Sequence, residues 1–465
     1  MSDTENKLSK NENLNNNENN KLERRLDFND MFFTGISYMI GAGIFTLMPF
    51  IIKYGGKNAW MAFLIGGIIS IMTGLSFARL NFQYPVNDAE YSWIREIFKG
   101  KNETEPNTAV KWFATITIWV VGIMGIFAKA TIALGLAEFI KTFNLGISKH
   151  VITFFALAIP TVINMVGVTY AASVAKAIIT LVIIAFLIII GYATKFNPHF
   201  GDNALSIDAS NVPNLMRASF ITIFAFTGFQ SVVQLSEETV SRDIIPKSIT
   251  ASVIFTTIFY ALVIISVISI IGLKTASVTS FPISEAYNAI FGAKGRSVVT
   301  LLSIITMFST LVIGVLGVSR LFHKLSEKGI APKYLSKLMP LNKVFSSKEN
   351  YENHAVEKKG DSMFDRMPIP ALLTVFVSAF LLTFVKGGVL ELMANATNSM
   401  LFFIFSTVNL LVIVNHFKNK DRKDSVASSN KTIQGFLNMF PWYAIIGFVL
   451  ALIFLVISPQ YYSVV

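Results

Sequence analysis

Apolar stretches of bilayer length recur along the chain from residue 31 to residue 458, separated by polar segments. In hydrocarbon every backbone N–H and C=O must find a partner within the protein, so only helices and closed barrels can span it. A spanning helix needs about 20 apolar residues, roughly twice the length of a barrel strand. The stretches here have helical length. Composition agrees, since 53% of the 465 residues are apolar and 14% are charged, against about 25% charged in a soluble domain. The expected fold is an all-α polytopic membrane protein.

Eleven spans are expected, near 31–52, 59–82, 112–140, 150–168, 171–194, 214–236, 249–273, 297–322, 369–386, 394–416 and 440–458. The stretch SEAYNAIFG (284–292) reads as a short helix outside the bilayer core. Segment 340–367 is polar and charged, and reads as a cytoplasmic loop inserted between the eighth and ninth spans. Residues 1–27 form a low-complexity Asn/Glu/Lys tail that buries too little apolar surface to order itself. The first apolar stretch lies behind this tail and is too long for a cleaved signal, so it is expected to stay as the first span.

Charge placement sets the expected orientation. With the N-terminus in the cytoplasm, and with Arg79, Arg217, Arg320 and Lys386 at span ends counted with the segments they adjoin, inside segments hold 27 of the 39 Lys and Arg, outside segments hold 10, and Lys129 and Lys176 fall deeper within spans. That bias follows the positive-inside rule. It accounts for the net charge of +11 without nucleic acid, which is not an expected partner; the lipid bilayer is. An odd span number would place the C-terminus outside. The chain has no cysteine, which excludes disulfides, thiolate zinc sites and a cysteine nucleophile. Its five histidines show no metal spacing, and no catalytic constellation is visible. Neither an enzyme nor a resident metal or cofactor is expected.

Two spans are interrupted by glycine. The first contains MIGAGIF (39–45) and the sixth contains FAFTGFQ (224–230). Glycine costs a helix about 1 kcal/mol relative to alanine. Taken alone, each cluster reads as a site of close helix packing. Together, five spans apart, they match what two five-helix repeats with a substrate site at the interruptions would show. Unwound backbone at that depth needs partners, which a zwitterionic solute supplies. Half-helix N-termini favour its carboxylate.

The surrounding motifs resemble the amino acid–polyamine–organocation (APC) permeases. GISYMIGAGIF (35–45) is similar to that family's Gly-x-Gly-Ile-Phe signature. SFARLNFQYPVNDAEYSWIREIFKG (76–100) resembles the run after its second span, and FAFTGFQSVVQLSEETVSRDIIPKSI (224–249) its sixth-span pattern. SRLFHKLSEKGIAP (319–332), followed by PIPALL (368–373), resembles the end of its eighth span and the start of its ninth. The matches keep their order over roughly residues 30–415.

That resemblance implies a transporter core at 28–418, built of two inverted repeats of five helices (about 31–194 and 214–416) with the first and sixth helices broken. Residues 419–465 would add a peripheral C-terminal helix. It implies transport of amino acids across the cytoplasmic membrane by alternating access. The amides around Gly41, Ala42 and Gly43 would hold the substrate carboxylate. Carbonyls near Met39, Phe224 and Thr227 would hold its ammonium, with Phe224 as an aromatic gate. Ala225, Phe226 and Gly228 would complete the sixth-helix segment.

The chain departs from the family at three places. Gln230 stands where members usually carry glutamate, and an amide cannot take up a proton as a carboxylate can. The fifth-span lysine of many members is absent from TLVII (180–184), while Lys176 lies earlier and is expected to snorkel to the interface. Asn87 and Asp88 replace paired glycines. The first two changes argue against the family's proton coupling, not against transport.

Lys129 is an unusual charge in mid-span, and intramembrane charges default to functional hypotheses. It would either attract an acidic substrate side chain or stand in for a bound cation. The missing fifth-span lysine inclines the reading to the second. Ser309 and Thr310 would offer oxygens to a sodium ion, and Glu237 with Glu238 would lock an inner gate. The coupling ion, Na+ or H+, stays open, as does a homodimer. The alternatives are a polyamine or amine exchanger of the same fold and a non-transporting amino acid receptor. The interrupted segments carry no acid to hold a dication, and no large soluble domain accompanies them.

Overall fold

The computed structural model describes residues 27–41, 43–84, 88–99, 103, 105–165, 172–196, 211–230, 232–233, 239–241, 243–340, 366–385, 389–418, 435 and 439–461. The tail 1–26, Ala42, Glu237, Glu238 and loop residues 341–365 lie outside the described residues.

Helix α1 (Phe28–Ile40) begins at a capping box. Asp27 accepts from the Asp30 N–H at 2.8 Å, and Asp30 accepts from the Asp27 N–H at 3.2 Å. Two of the donors that a helix start leaves open are thereby satisfied. Helix α2 (Gly43–Gly55) resumes beyond Gly41 and passes through a 3₁₀ turn (Gly56–Asn58) into α3 (Ala59–Gln83). The bundle continues with α4 (Ala89–Phe98), α5 (Thr108–Lys141), α6 (Lys149–Met165), α7 (Ala172–Phe196) and α8 (Val212–Phe226). Then follow α9 (Ile244–Ile271), α10 (Leu273–Val278), α11 (Pro282–Glu327), α12 (Ile369–Leu382), α13 (Val389–Lys418) and α14 (Trp442–Ile457).

Each of the eleven apolar stretches carries helix. Among the described residues, seven helical runs are long and apolar enough to cross a membrane, and α6, α8 and α12 are shorter apolar helices. The chain is a polytopic integral membrane protein. The outward faces fit that setting: Leu181, Ile184, Leu187 and Ile188 of α7 are exposed, as are Phe155, Ile159 and Val162 of α6. A water-facing surface would not carry such continuous apolar stripes.

Three features mark the segments between spans. Helix α4 follows the second span, its amphipathic sequence AEYSWIREIF burying Trp93, Ile94 and Ile97. The expected short helix at 284–292 is the first part of α11, which turns at Gly292 (φ 67°, ψ −163°). The only extended pairing among the described residues joins Met339–Pro340 to Arg366–Met367, closing the base of the 340–367 loop.

Packing is reciprocal under a shift of five spans. Helix α1 packs on α9 as α8 packs on α3, and α1 on α7 as α8 on α13. Likewise α6 packs on α11 as α12 packs on α5. Such an exchange is the pattern that two five-helix repeats related by a pseudo-two-fold would give. Halves of the first and sixth spans, α2 and α8, meet each other directly.

Candidate functional site

The two interruptions meet around the backbone. Gly43 abuts Ala225 so closely that an added Cβ would lie 3.1 Å from the Ala225 N and Cβ and overlap its Cα. Beyond the end of α8, Gly228 takes φ 125°, and a Cβ there would lie 2.7 Å from Tyr38 Cβ. Only glycine adopts that dihedral without strain, so the turn after α8 seats on α1. Thr227 N–H donates to the Phe224 carbonyl at 3.1 Å. The Gln230 amide oxygen accepts from the Gly228 N–H at 3.0 Å.

Tyr260 of α9 ties the two breaks together. Its buried hydroxyl donates to the Met39 carbonyl at 2.8 Å and lies 3.2 Å from the Ala225 carbonyl. An unpaired carbonyl at this depth costs about 1–3 kcal/mol, so one side chain stabilises both interrupted helices. The signal for it was a lone tyrosine in the apolar run TTIFYALVII, since a buried phenol needs an acceptor.

Eight of the expected residues line one partly open cavity of about 150 Å³. They are Met39, Gly43, Phe224, Thr227, Gly228, Gln230, Lys129 and Thr310. Four other expected residues lie outside its lining. Gly41 packs against the Thr310 hydroxyl. Ala225 backs Gly43. Phe226 turns away to stack edge-on with Tyr260 at 5.6 Å. Ser309 is buried but does not line the cavity. Thr310 donates to the Thr306 carbonyl of its own helix at 2.9 Å. Ala42 and Glu237 fall outside the described residues.

Lys129 projects from α5 into this cavity and lies along Gly314 of α11, where a methyl group would overlap its ammonium. Glu90 of α4 lines the same cavity, although sequence reasoning passed it over as part of a motif. It is buried, and desolvation, with the Asp88 charge adding a smaller push, raises its carboxyl to about 7. Asp88 itself pairs with Lys328 at the end of α11. Lys176 pairs with Asp30 rather than standing alone at the interface.

A second cavity, of about 540 Å³, is lined by Thr46, Lys53, Gly135, Glu138 and Glu391. Along α2 the lining changes cavity between Gly43 and Phe45, and along α5 between Ile132 and Gly135. The layer between them is tight, because a Cβ on Gly135 would lie 2.7 Å from Thr46 Cγ2. Near the second cavity, Arg217 of α8 pairs with Glu391 of α13 at 2.8 Å and covers the Tyr54 ring at 3.8 Å. Tyr54 of α2 donates to Glu391 at 2.9 Å.

Fold and cavity together define a polytopic membrane protein whose central cavity is bordered by the facing ends of α1, α2 and α8. A family model described as "Amino acid permease" matches residues 26–465, and the chain belongs to that family, within the APC superfamily. It is a transporter and not an enzyme. The chain is 24% identical over 332 residues to the uncharacterized transporter Rv1999c of Mycobacterium tuberculosis, covering 70% of each chain. It is 22% identical to the branched-chain amino acid permease BcaP of Bacillus subtilis (69% of this chain, 71% of that one). It is 26% identical to the serine/threonine exchanger SteT of the same bacterium (68% and 71%).

Proposed function

We propose that the protein carries amino acids across the cell membrane by alternating access, with its N-terminus in the cytoplasm. One observation carries the reading: Met39, Gly43, Phe224, Thr227 and Gly228, from both interruptions, border a single cavity. Amides near Gly43 take the substrate carboxylate. Carbonyls near Met39, Phe224 and Thr227 take its ammonium, Met39 through the lone pair that Tyr260 leaves free. Relatives named as a branched-chain amino acid permease and a serine/threonine exchanger support the substrate class.

The central cavity reaches from Gly43 to Glu90 and Leu321, the second from Thr46 to Lys53 and Lys149. The first lies on the side where α1 begins, the second on the opposite side. Exchanging which of them meets the Gly43–Ala225 layer is the alternating step. The Arg217–Glu391–Tyr54 cluster latches α2, α8 and α13 on the outer side. Lys129 in the lining weighs against a polyamine substrate, which it would repel.

Reconstitution into proteoliposomes loaded with a mixture of amino acids, followed by uptake of labelled single amino acids, tests the reading. Saturable, competed uptake is expected. Uptake no faster than in protein-free vesicles for every amino acid would overturn it.

A further inference from the structure

Lys129 is the one cation lining the central cavity among the described residues. An ammonium turned to lipid at mid-span costs at least about 2.5 kcal/mol, and here α5 turns it to the cavity instead. Gly314 leaves the groove in which its side chain lies. Among the described residues no charged or hydrogen-bonding partner acts on its Nζ. Every other lining residue is neutral except Glu90 of α4, which forms no ion pair with it among the described residues.

A lysine standing in for a bound cation would give its N–H groups to the oxygens that would have ligated the ion. Lys129 does not do so. Among the described residues no hydrogen bond runs from its Nζ to the Thr310 hydroxyl, which donates within its own helix, or to the Met39 carbonyl, which the Tyr260 hydroxyl reaches. The ammonium is left as an unpaired charge in a restricted space lined largely by apolar side chains, where an anion is stabilised by Coulomb attraction and charge-assisted hydrogen bonds.

We infer that Lys129 makes this cavity selective for amino acids with an anionic side chain, of the aspartate and glutamate class. The inference rests on the permease reading above and deepens it. The zwitterionic end of the substrate binds at the two interruptions, and the side-chain carboxylate pairs with Lys129 beside Gly314. A neutral isostere leaves the ammonium unpaired, which is the arrangement that discriminates most strongly between otherwise similar ligands.

The test measures binding of labelled L-glutamate, L-glutamine, L-aspartate and L-asparagine to the purified full-length protein, in chloride and in gluconate buffer. The acidic member of each pair should bind about tenfold tighter or more. Lys129→Met should bring the ratio close to one, and Lys129→Arg should keep most of it. Gly314→Ala, which displaces the ammonium but keeps the charge, should lower the ratio as well. If a variant does not fold, the parent ratio still decides. Equal or weaker binding of the acidic member overturns the inference while neutral binding leaves the permease reading intact. An unaltered ratio in folded Lys129→Met overturns it too, as does neutral-substrate binding that requires chloride. Absence of binding by any amino acid overturns the permease reading and the inference with it.

Discussion

The hydroxyl of Tyr260 donates a 2.8 Å hydrogen bond to the carbonyl of Met39. Because the same hydroxyl lies 3.2 Å from the Ala225 carbonyl, one phenol from α9 spans the interruptions of both repeats. Tyr260→Phe keeps the ring packing against Phe63 and Phe226 and removes only the donor. It should cost about 1–3 kcal/mol of stability and weaken substrate binding. Thermal unfolding in detergent and a binding isotherm check this. Parent-like values for both would show that the bond does not hold the breaks in place.

Gly43 has two reasons to be glycine. It borders the cavity, and it lets α2 touch the backbone of α8 at Ala225. Gly43→Leu should therefore abolish substrate binding while the protein still inserts. Gly43→Ala, whose single methyl group already meets Ala225, should reduce affinity several-fold. Binding to purified, monodisperse variants reads both. Near-parent affinity in Gly43→Leu would remove this stretch from the site.

Much of this architecture was legible in the sequence. Apolar length gave the helices, and the glycines singled out in spans five apart lie where α1 gives way to α2 and just beyond the end of α8. Lys129 was legible because a charge in mid-span has few places to point. The partners of Tyr260, the place of Glu90 and the Arg217–Glu391 pair were not, and for a common reason. Tyr260 acts on carbonyls that are free only once the breaks are formed, and Glu90 sits on a helix between spans. Arg217 and Glu391 are 174 residues apart. Their roles exist only after the repeats pack, and periodicity carries no information on pairs of that separation.

Gln230 accepts a hydrogen bond from the Gly228 N–H through its amide oxygen and has no proton to exchange. Uptake in sodium-free proteoliposomes without internal substrate should thus respond weakly to an imposed pH gradient. Gln230→Glu places a titratable carboxyl at the cavity wall and should make uptake more sensitive to the same gradient. Strong proton-driven uptake by the parent would contradict this account of coupling.

Arg217 and Glu391 are each about nine-tenths buried, with 10% and 12% of their side chains exposed. Removing one partner of such a pair leaves the other charge uncompensated, at about 3–5 kcal/mol for a fully buried pair. Glu391→Ala and Arg217→Ala should each destabilise the protein by a large fraction of this. The double variant should be much less damaging than the sum of the two. A double-mutant cycle on thermal stability checks this, and strict additivity would mean that the two residues do not act as a latch.

Glu90 should leave a signature in the pH dependence of stability. Its carboxyl sits at about 7 in the folded protein because burial disfavours the charged form, against the ordinary value of 4.5 once unfolded. Between these values the folded state holds the proton and the unfolded state does not. Stability contributed by this group therefore falls as pH rises from about 4.5 to about 7, then levels off. Glu90→Gln, neutral at every pH, should flatten this part of the profile and stabilise the protein at pH 8, raising the unfolding midpoint by a few degrees. The measurement is a series of midpoints from pH 5 to 8.5 for parent and variant. The charges bearing on Glu90 are Asp88, itself paired with Lys328, and Lys129 in the same cavity. Repeating the series in Asp88→Asn separates the smaller Asp88 contribution from desolvation. A parent-like slope in Glu90→Gln would mean that another group titrates in this window.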